Sequence, residues 1–231
     1  MFNHNDSKEV YVIIPAYNEH KSIGKIVDEL STKGYSVIVV DDASSPSLQP
    51  LLQNKKLLYA RHKVNLGQGA ALQTGINLAL KRGAKIIVSF DADGQHEIQD
   101  IERLIQHLGK NRLDIVLGSR FMEQQPKHMS HSRKLVLKLA RFVNFIFTGV
   151  LLTDAHNGLR VMTAAAAGRI RISENRMSHA TEILSLIKKE KLHYSEQPVT
   201  VYYTDYSKSK GQSSWNSFRI LFDLLLSKFF K

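Results

Sequence analysis

Residues 86–96 read IIVSFDADGQH: an unbroken apolar run that stops on two aspartates separated by one small residue. A run with no polar alternation suits a strand buried on both faces, as in a parallel sheet covered by helices. The same pattern recurs on either side. Residues 10–15 (VYVIIP) form a β-rich run ending at a proline, and 37–42 (VIVVDD) form a second buried run ending on Asp41 and Asp42. Residues 57–60, 115–117 and 199–203 read as further strands. Between them lie helical patterns. Asn18 is placed to cap a helix that carries Ile23, Ile26, Val27 and Leu30 at helical spacing and closes at Gly34. Residues 70–82, 97–108 and 179–190 read as helices in the same way. Strands separated by helices imply βαβ units and an α/β fold with a mostly parallel sheet flanked by helices. Right-handed crossovers bring the strand C-termini to one edge, which is where such sheets bind ligands. Asp42, Asp91 and Asp93 each follow a strand end, so they are expected to converge although they are distant in sequence.

Composition narrows the function classes. The chain has 231 residues and a formal net charge of +11, which favours polyanionic partners: nucleic acid, anionic lipid or phosphorylated substrates. It has no cysteine, which excludes a disulfide framework, thiolate zinc sites and a cysteine nucleophile, and fits a reducing compartment. The first residues, MFNHNDSKE, are polar and do not read as a signal peptide. No window is long and apolar enough to span a bilayer, so the expectation is a soluble or peripheral protein.

The second half changes character. Residues 124–153 hold Lys127, Arg133, Lys134, Lys138 and Arg141 and, before Asp154, no acid. On a helix, Lys134, Lys138 and Arg141 form one stripe and Leu135, Leu139, Phe142 and Ile146 another. This is either a solvated basic face or a membrane-facing surface. A last helix over 215–231 puts Phe218, Leu221, Phe222, Leu225 and Phe229 on one broad face. It can lie in a membrane interface, pack on the core, dimerise or meet a small membrane-protein partner. The expected division is a main domain over 1–212 and an amphipathic helix over 213–231.

The DADGQH segment carries the clearest chemistry. Two carboxylates after a buried strand can hold Mg²⁺ or Mn²⁺ beside a diphosphate, because hard cations take oxygen ligands and let substrate phosphates complete the shell. Asp91 and Asp93 are the metal candidates, with Gln95 as a third oxygen. The plainer alternative is a loop with helix-capping acids. NLGQGAAL (65–72) begins like a dinucleotide fingerprint, but its sixth position is Leu72 and it follows the third strand, so a tight turn with close backbone approach is the simpler expectation. His128 and His131 lack an evident third ligand and read as part of an exposed basic loop.

VIIPAYNE (12–19), VVDDAS (39–44), NLGQGAAL (65–72), DADGQH (91–96) and GSR (118–120), in that order, resemble the family 2 glycosyltransferases, whose fold is the Rossmann-like GT-A type. The resemblance implies that Pro15, Tyr17, Glu19 and Asp42 contact the base and ribose of a nucleotide sugar. It places metal and diphosphate at Asp91 and Asp93, with Ala92 contributing through its backbone. GSRF, the basic stretch near Arg133, DAHNGLR (154–160) and HATEIL (179–184) are most similar to dolichyl- and polyprenyl-phosphate mannose or glucose synthases. That likeness implies an inverting, metal-dependent transfer of a hexose from GDP-mannose or a UDP-hexose to polyprenyl phosphate. Arg120, Arg133 and Lys210 would hold the acceptor phosphate. The chain departs from the pattern at Thr204, where an arginine is usual, which leaves the phosphate geometry and the sugar open. A glycan hydroxyl as acceptor would instead need a carboxylate base, for which Asp154 is the candidate. A non-catalytic nucleotide or nucleic-acid binding module is the alternative of another class. The likeness further implies a cytoplasmic protein peripheral on the inner face of the cell membrane, with no nucleic-acid partner.

Overall fold

A computed structural model describes residues 9–122, 142, 145, 146, 149–155, 157–176 and 178–202. Among them the elements run β1 (Val10–Ala16), α1 (Ile23–Thr32), β2 (Ser36–Asp41), α2 (Gln49–Leu52), β3 (Leu58–Arg61), α3 (Gln68–Lys81), β4 (Ile86–Ser89), α4 (Gln99–Lys110), β5 (Ile115–Ser119), β6 (Arg160–Thr163), α5 (Ala164–Arg169), α6 (His179–Lys189) and β7 (Tyr194–Pro198). Arg133, Lys210, the basic stretch, the histidines at 128 and 131, Thr204 and the last helix lie outside the described residues.

The strands form one seven-stranded sheet in the order β3-β2-β1-β4-β6-β5-β7. Every pairing is parallel except those of β6, which runs antiparallel to both β4 and β5. The mostly parallel, helix-flanked sheet agrees with the reading of the apolar runs. Alternate side chains of the central strands enter two cores. On one face Val12, Ile14, Val39 and Val88 pack under α1 and α4 through Val27, Leu30, Ile101 and Leu104. On the other, Ile13, Ile38, Val40 and Ile87 pack under α3 and α6 through Leu72, Ile76, Ile183 and Leu184. Burying each such side chain contributes about 1.5–3 kcal/mol, so the central strands are held from both sides.

Three expectations change. Asn18 does not cap α1: it has a positive φ of 58°, its Oδ1 accepts from the Ser45 amide at 2.9 Å, and the helix begins after Ser22. The late strand is β7 at 194–198 rather than 199–203, and Val201 instead makes an isolated bridge to His96. The elements β6 and α5 stand where the sequence showed only a polar segment and a run of alanines.

Gly75 lets α3 lie directly on β1. A Cβ there would stand 2.2 Å from Ile13 Cγ2, a branched side chain rooted in the sheet. Gly109 on α4 has nothing within 4 Å of the same position. Alanine gains up to about 1 kcal/mol over glycine in a helix, whereas overpacking a core costs about 1–3 kcal/mol. Gly75→Ala is therefore expected to lower unfolding stability by about 1–2 kcal/mol, and Gly109→Ala to raise it by about 0.5 kcal/mol. Urea denaturation of both variants checks the opposite signs.

Candidate active site

The parallel strands β1, β2, β4 and β5 end at one edge, and each is followed by a residue picked out from the sequence: Tyr17, Asp42, Asp91 and Arg120. Because β6 runs the other way, its first residue, Arg160, reaches the same edge, paired with Ser89 on β4 and Leu117 on β5. A cavity of about 690 Å³ opens there. Pro15, Tyr17, Glu19, Asp42, Asp91, Ala92 and Asp93 all line it. The convergence expected of Asp42, Asp91 and Asp93 is thus present. Gln95, Arg120 and Asp154 are not among the lining residues.

The two neighbouring aspartates of β2 have separate duties. Asp41 is fully buried and accepts from the amides of Ser44 at 2.8 Å and Leu48 at 3.1 Å and from Tyr59 Oη at 2.6 Å, which makes it a structural anchor. Asp42 borders the cavity, yet its carboxylate already accepts from the amides of Leu66 at 2.9 Å and Gly67 at 2.7 Å and pairs with His62 Nδ1 at 2.7 Å. A carboxylate offers about four lone-pair positions, so little capacity remains for a base N–H. Asp42 shapes the pocket by holding the 65–67 loop.

That loop and α3 close one wall. The Gly67 and Gly69 Cβ positions would fall 2.3 Å from Asn175 O and 2.0 Å from Glu174 O. The close backbone approach expected of NLGQGAAL is real, and its partner is the 174–176 segment of the same chain. Gly69 N donates to Asn175 O at 2.8 Å, so the first turn of α3 is partly capped from within. Glu182 on α6 accepts from the amides of Ser173 at 3.0 Å and Glu174 at 2.9 Å and fixes that segment.

The carboxyls of the DADGQH loop shift in opposite directions. Burial would raise the Asp91 carboxyl, but His96 beside it (Nε2 at 3.4 Å) and the Arg160 charge outweigh burial and hold it below the usual range. Gln68 Nε2 donates to its Oδ1 at 3.0 Å. Asp93 is raised, first by burial and then by the Asp91 charge. Gln95, expected as a third metal oxygen, instead donates from Nε2 to Asp93 Oδ2 at 2.8 Å and from its amide to Oδ1 at 3.0 Å. Ser22 Oγ ties the loop down by donating to Ala92 O at 2.5 Å.

No group of three or more His, Cys, Asp or Glu able to hold a metal occurs among the described residues. Two cavity-facing carboxylates whose like charges disfavour joint ionisation are nonetheless a hard-oxygen donor pair that a divalent cation would relieve. The residues fit Mg²⁺ or Mn²⁺ bound together with donor phosphates.

Arg160 of the DAHNGLR segment, which the sequence offers as a structural or phosphate-facing cation, lines the cavity with Gly158, Arg176 and His179, which sequence reasoning missed. Gly158 lies under Asp91: a Cβ there would be 1.9 Å from Asp91 Oδ2. Arg160 and His179 line the floor and Arg176 the wall. Burial lowers the Arg160 guanidinium, opposed by Asp91 and Asp154. His179 is pushed down to about 4 by burial and by Arg160, and is neutral near pH 7. The segments HNGLR and HATEIL held these residues, and their resemblance to known enzymes was the only signal for them.

Beyond Arg160, Asp154 is gripped by Arg120. Nε and Nη2 of Arg120 donate to its two oxygens at 2.6 and 2.7 Å, and the Arg120 amide and Asn157 Nδ2 add bonds at 3.1 and 3.3 Å. Burial opposes ionisation, but these contacts hold the carboxyl below its usual range. Glu196 on β7 positions the pair by accepting from the amides of Thr153 at 2.8 Å and Asp154 at 3.0 Å.

Residues 11–171 match the family described as glycosyl transferase family 2. The chain is 34% identical to an uncharacterised protein of Methanocaldococcus jannaschii, over 99% of this chain and 96% of that one. It is 33% identical to the UDP-N-acetylglucosamine–dolichyl-phosphate N-acetylglucosaminyltransferase of Methanococcus voltae, over 96% of each. Among solved structures, glucosyl-3-phosphoglycerate synthase of Mycobacterium tuberculosis, in complex with Mn²⁺ and UDP-glucose, superposes with a TM-score of 0.64 at 15% identity, covering 87% of this chain and 73% of that one. That likeness establishes the GT-A fold. The chain belongs to glycosyl transferase family 2 and is an enzyme, which removes the non-catalytic binding module from consideration.

The Arg120–Asp154 pair predicts a pH signature. The Asp154 pKa is lower folded than unfolded, so its stabilisation is present above the ordinary carboxylate range and is lost as pH falls below that range through the lowered folded value. Asp154→Asn should cost about 2 kcal/mol near pH 7, below the ~3–5 kcal/mol of a fully enclosed pair because Arg120 still reaches water. The gap between the proteins should shrink below about pH 4. Denaturant melts at pH 7 and pH 3.5 measure it.

Proposed function

We propose, from membership in glycosyl transferase family 2, that the chain transfers a hexose from a nucleotide-diphosphate sugar to a polyprenyl or dolichyl phosphate with inversion. The observation that carries the reading is the meeting of Asp42, Asp91 and Asp93 from separate strand ends around one cavity. Pro15 and Tyr17 border the nucleoside end, Glu19 and Asp42 its ribose side, and Asp91, Ala92 and Asp93 the diphosphate. Asp91 and Asp93 would hold Mg²⁺ or Mn²⁺, with Gln95 turning its carboxamide to join them. When bound, such an ion supplies neutralisation of the charge that builds on the departing diphosphate.

An acceptor phosphate oxygen attacks the anomeric carbon as the bond from that carbon to the diphosphate oxygen breaks, and the bonding pair leaves with the nucleoside diphosphate. A phosphate monoester is largely dianionic at neutral pH, with a second pKa of about 6, so the attack needs no base. Asp154 supports this choice of acceptor. A base for a glycan hydroxyl must be free to take a proton, whereas both Asp154 oxygens accept from Arg120 and the carboxyl is held ionised. Arg120, with Arg133 and Lys210, supplies positive charge on the acceptor side. The Methanococcus voltae relative bears the name of a dolichyl-phosphate enzyme with a UDP-N-acetylglucosamine donor, which makes that donor the first to try and GDP-mannose the second.

Residues 1–212 would form the main domain, and residues 213–231, which lie outside the described residues, a membrane or partner contact. No helix among the described residues is long and apolar enough to cross a membrane. Phe142, Phe145, Ile146 and Leu151 are exposed beside the basic stretch, and they support docking on the inner face of the cell membrane, where the lipid phosphate resides.

The test is transfer from radiolabelled UDP-N-acetylglucosamine or GDP-mannose to a short polyprenyl phosphate with Mn²⁺. Asp93→Asn should reduce turnover by about 10²-fold or more. Undiminished turnover in that variant sinks the assignment.

A further inference from the structure

Arg160 is a buried cation at the cavity that the reaction as described does not use. It is 2% exposed, and its Nε has no hydrogen-bond partner among the described residues. A guanidinium only donates, and a buried donor left unmet is costly, so a ligand oxygen is the natural partner. Its place in the sheet says which part of the ligand. Arg160 starts β6, paired with Ser89 on one side and Leu117 on the other. The first neighbour leads into Asp91 and Asp93, the second into Arg120. Arg160 therefore stands midway between the diphosphate carboxylates and the acceptor cation. The group that must lie between a leaving diphosphate and an incoming phosphate is the transferred sugar. Gly158 lets the Asp91 carboxylate pack directly against the backbone two residues before Arg160.

We infer that Arg160 contacts the hexosyl group of the donor from beneath, donating Nε–H to one of its oxygens. The inference rests on the donor reading proposed above. His179 refines the chemistry. Its Nδ1 donates to Arg176 O at 2.7 Å, and the neutral ring leaves Nε2 as an acceptor. Both side chains line the cavity, and a sugar hydroxyl can accept from one and donate to the other.

Calorimetry separates the sugar from the phosphates. The full chain with Mn²⁺ is titrated with UDP, GDP and a panel of UDP- and GDP-hexoses, and then Arg160→Lys and Arg160→Gln are titrated with the sugar nucleotide that binds best and with its nucleoside diphosphate. A site built to hydrogen-bond a substrate oxygen discriminates strongly, so the variants should weaken the sugar nucleotide by about tenfold or more and its diphosphate by less than about twofold. Equal weakening of both ligands, or of neither, overturns the inference while leaving the donor reading intact. Arg160→Lys keeps the buried charge and guards against collapse of the fold. If neither variant melts cooperatively, Arg160 is a core residue and the inference falls. A wild type that binds no sugar nucleotide overturns the donor reading and this inference together.

Discussion

Asp91 has to stay ionised in a partly enclosed cavity beside a second carboxylate, and much of the local structure follows from that requirement. Burial and Asp93 both push against its charge. Gln68 arrives from α3, His96 from the loop itself and Arg160 from β6, and together they outweigh that pressure. Asp93, with only Gln95 donating to it, takes the opposite shift. The asymmetry makes Asp91 the more readily ionised carboxyl of the two. A purely structural pair of acids would more usually be separated or each matched with its own cation.

Topology explains how a second cation, besides Arg120, reaches this edge from within the sheet. In a wholly parallel sheet only strand C-termini meet at the ligand edge, and here they bring loops rich in acid. Reversing one strand lets a residue enter by its N-terminal end. Since β6 sits between β4 and β5, Arg160 arrives already in the sheet, with its backbone held on both sides. An arginine delivered by a loop would lose more side-chain freedom on ordering and would be placed less accurately.

The sequence made the central sheet legible because β1, β2 and β4 are predominantly apolar runs bounded by turn residues and are buried on both faces. It hid β6 and β7 for different reasons. β6 is four residues long and begins with a buried arginine, so its pattern resembles a loop. β7 (YSEQP) is an edge strand, half exposed and polar, whose Glu196 serves the 153–154 turn rather than the core. The donor half of the cavity was legible through residues adjacent to strong strands. The floor around Arg160 was not, because Gly158 and His179 come from segments whose fold depends on contacts distant in sequence. Asp42 shows the converse limit: its position was inferable, but its engagement with Leu66, Gly67 and His62 depends on a loop that no local pattern describes.

The acceptor side follows from the same economy of charge. Glu196 holds the turn, the turn presents Asp154, and Asp154 fixes Arg120 through a two-pronged contact. Each link neutralises or positions the next, and none leaves a carboxylate with spare basicity. For a hydroxyl acceptor such an arrangement would be wasteful, since the best-placed acid is locked in its ionised form. For an acceptor that arrives already deprotonated, a rigid cation is the useful device. On the function proposed above, Asp91 would lie on the leaving-group side and the Asp154–Arg120 pair on the side of the incoming anion.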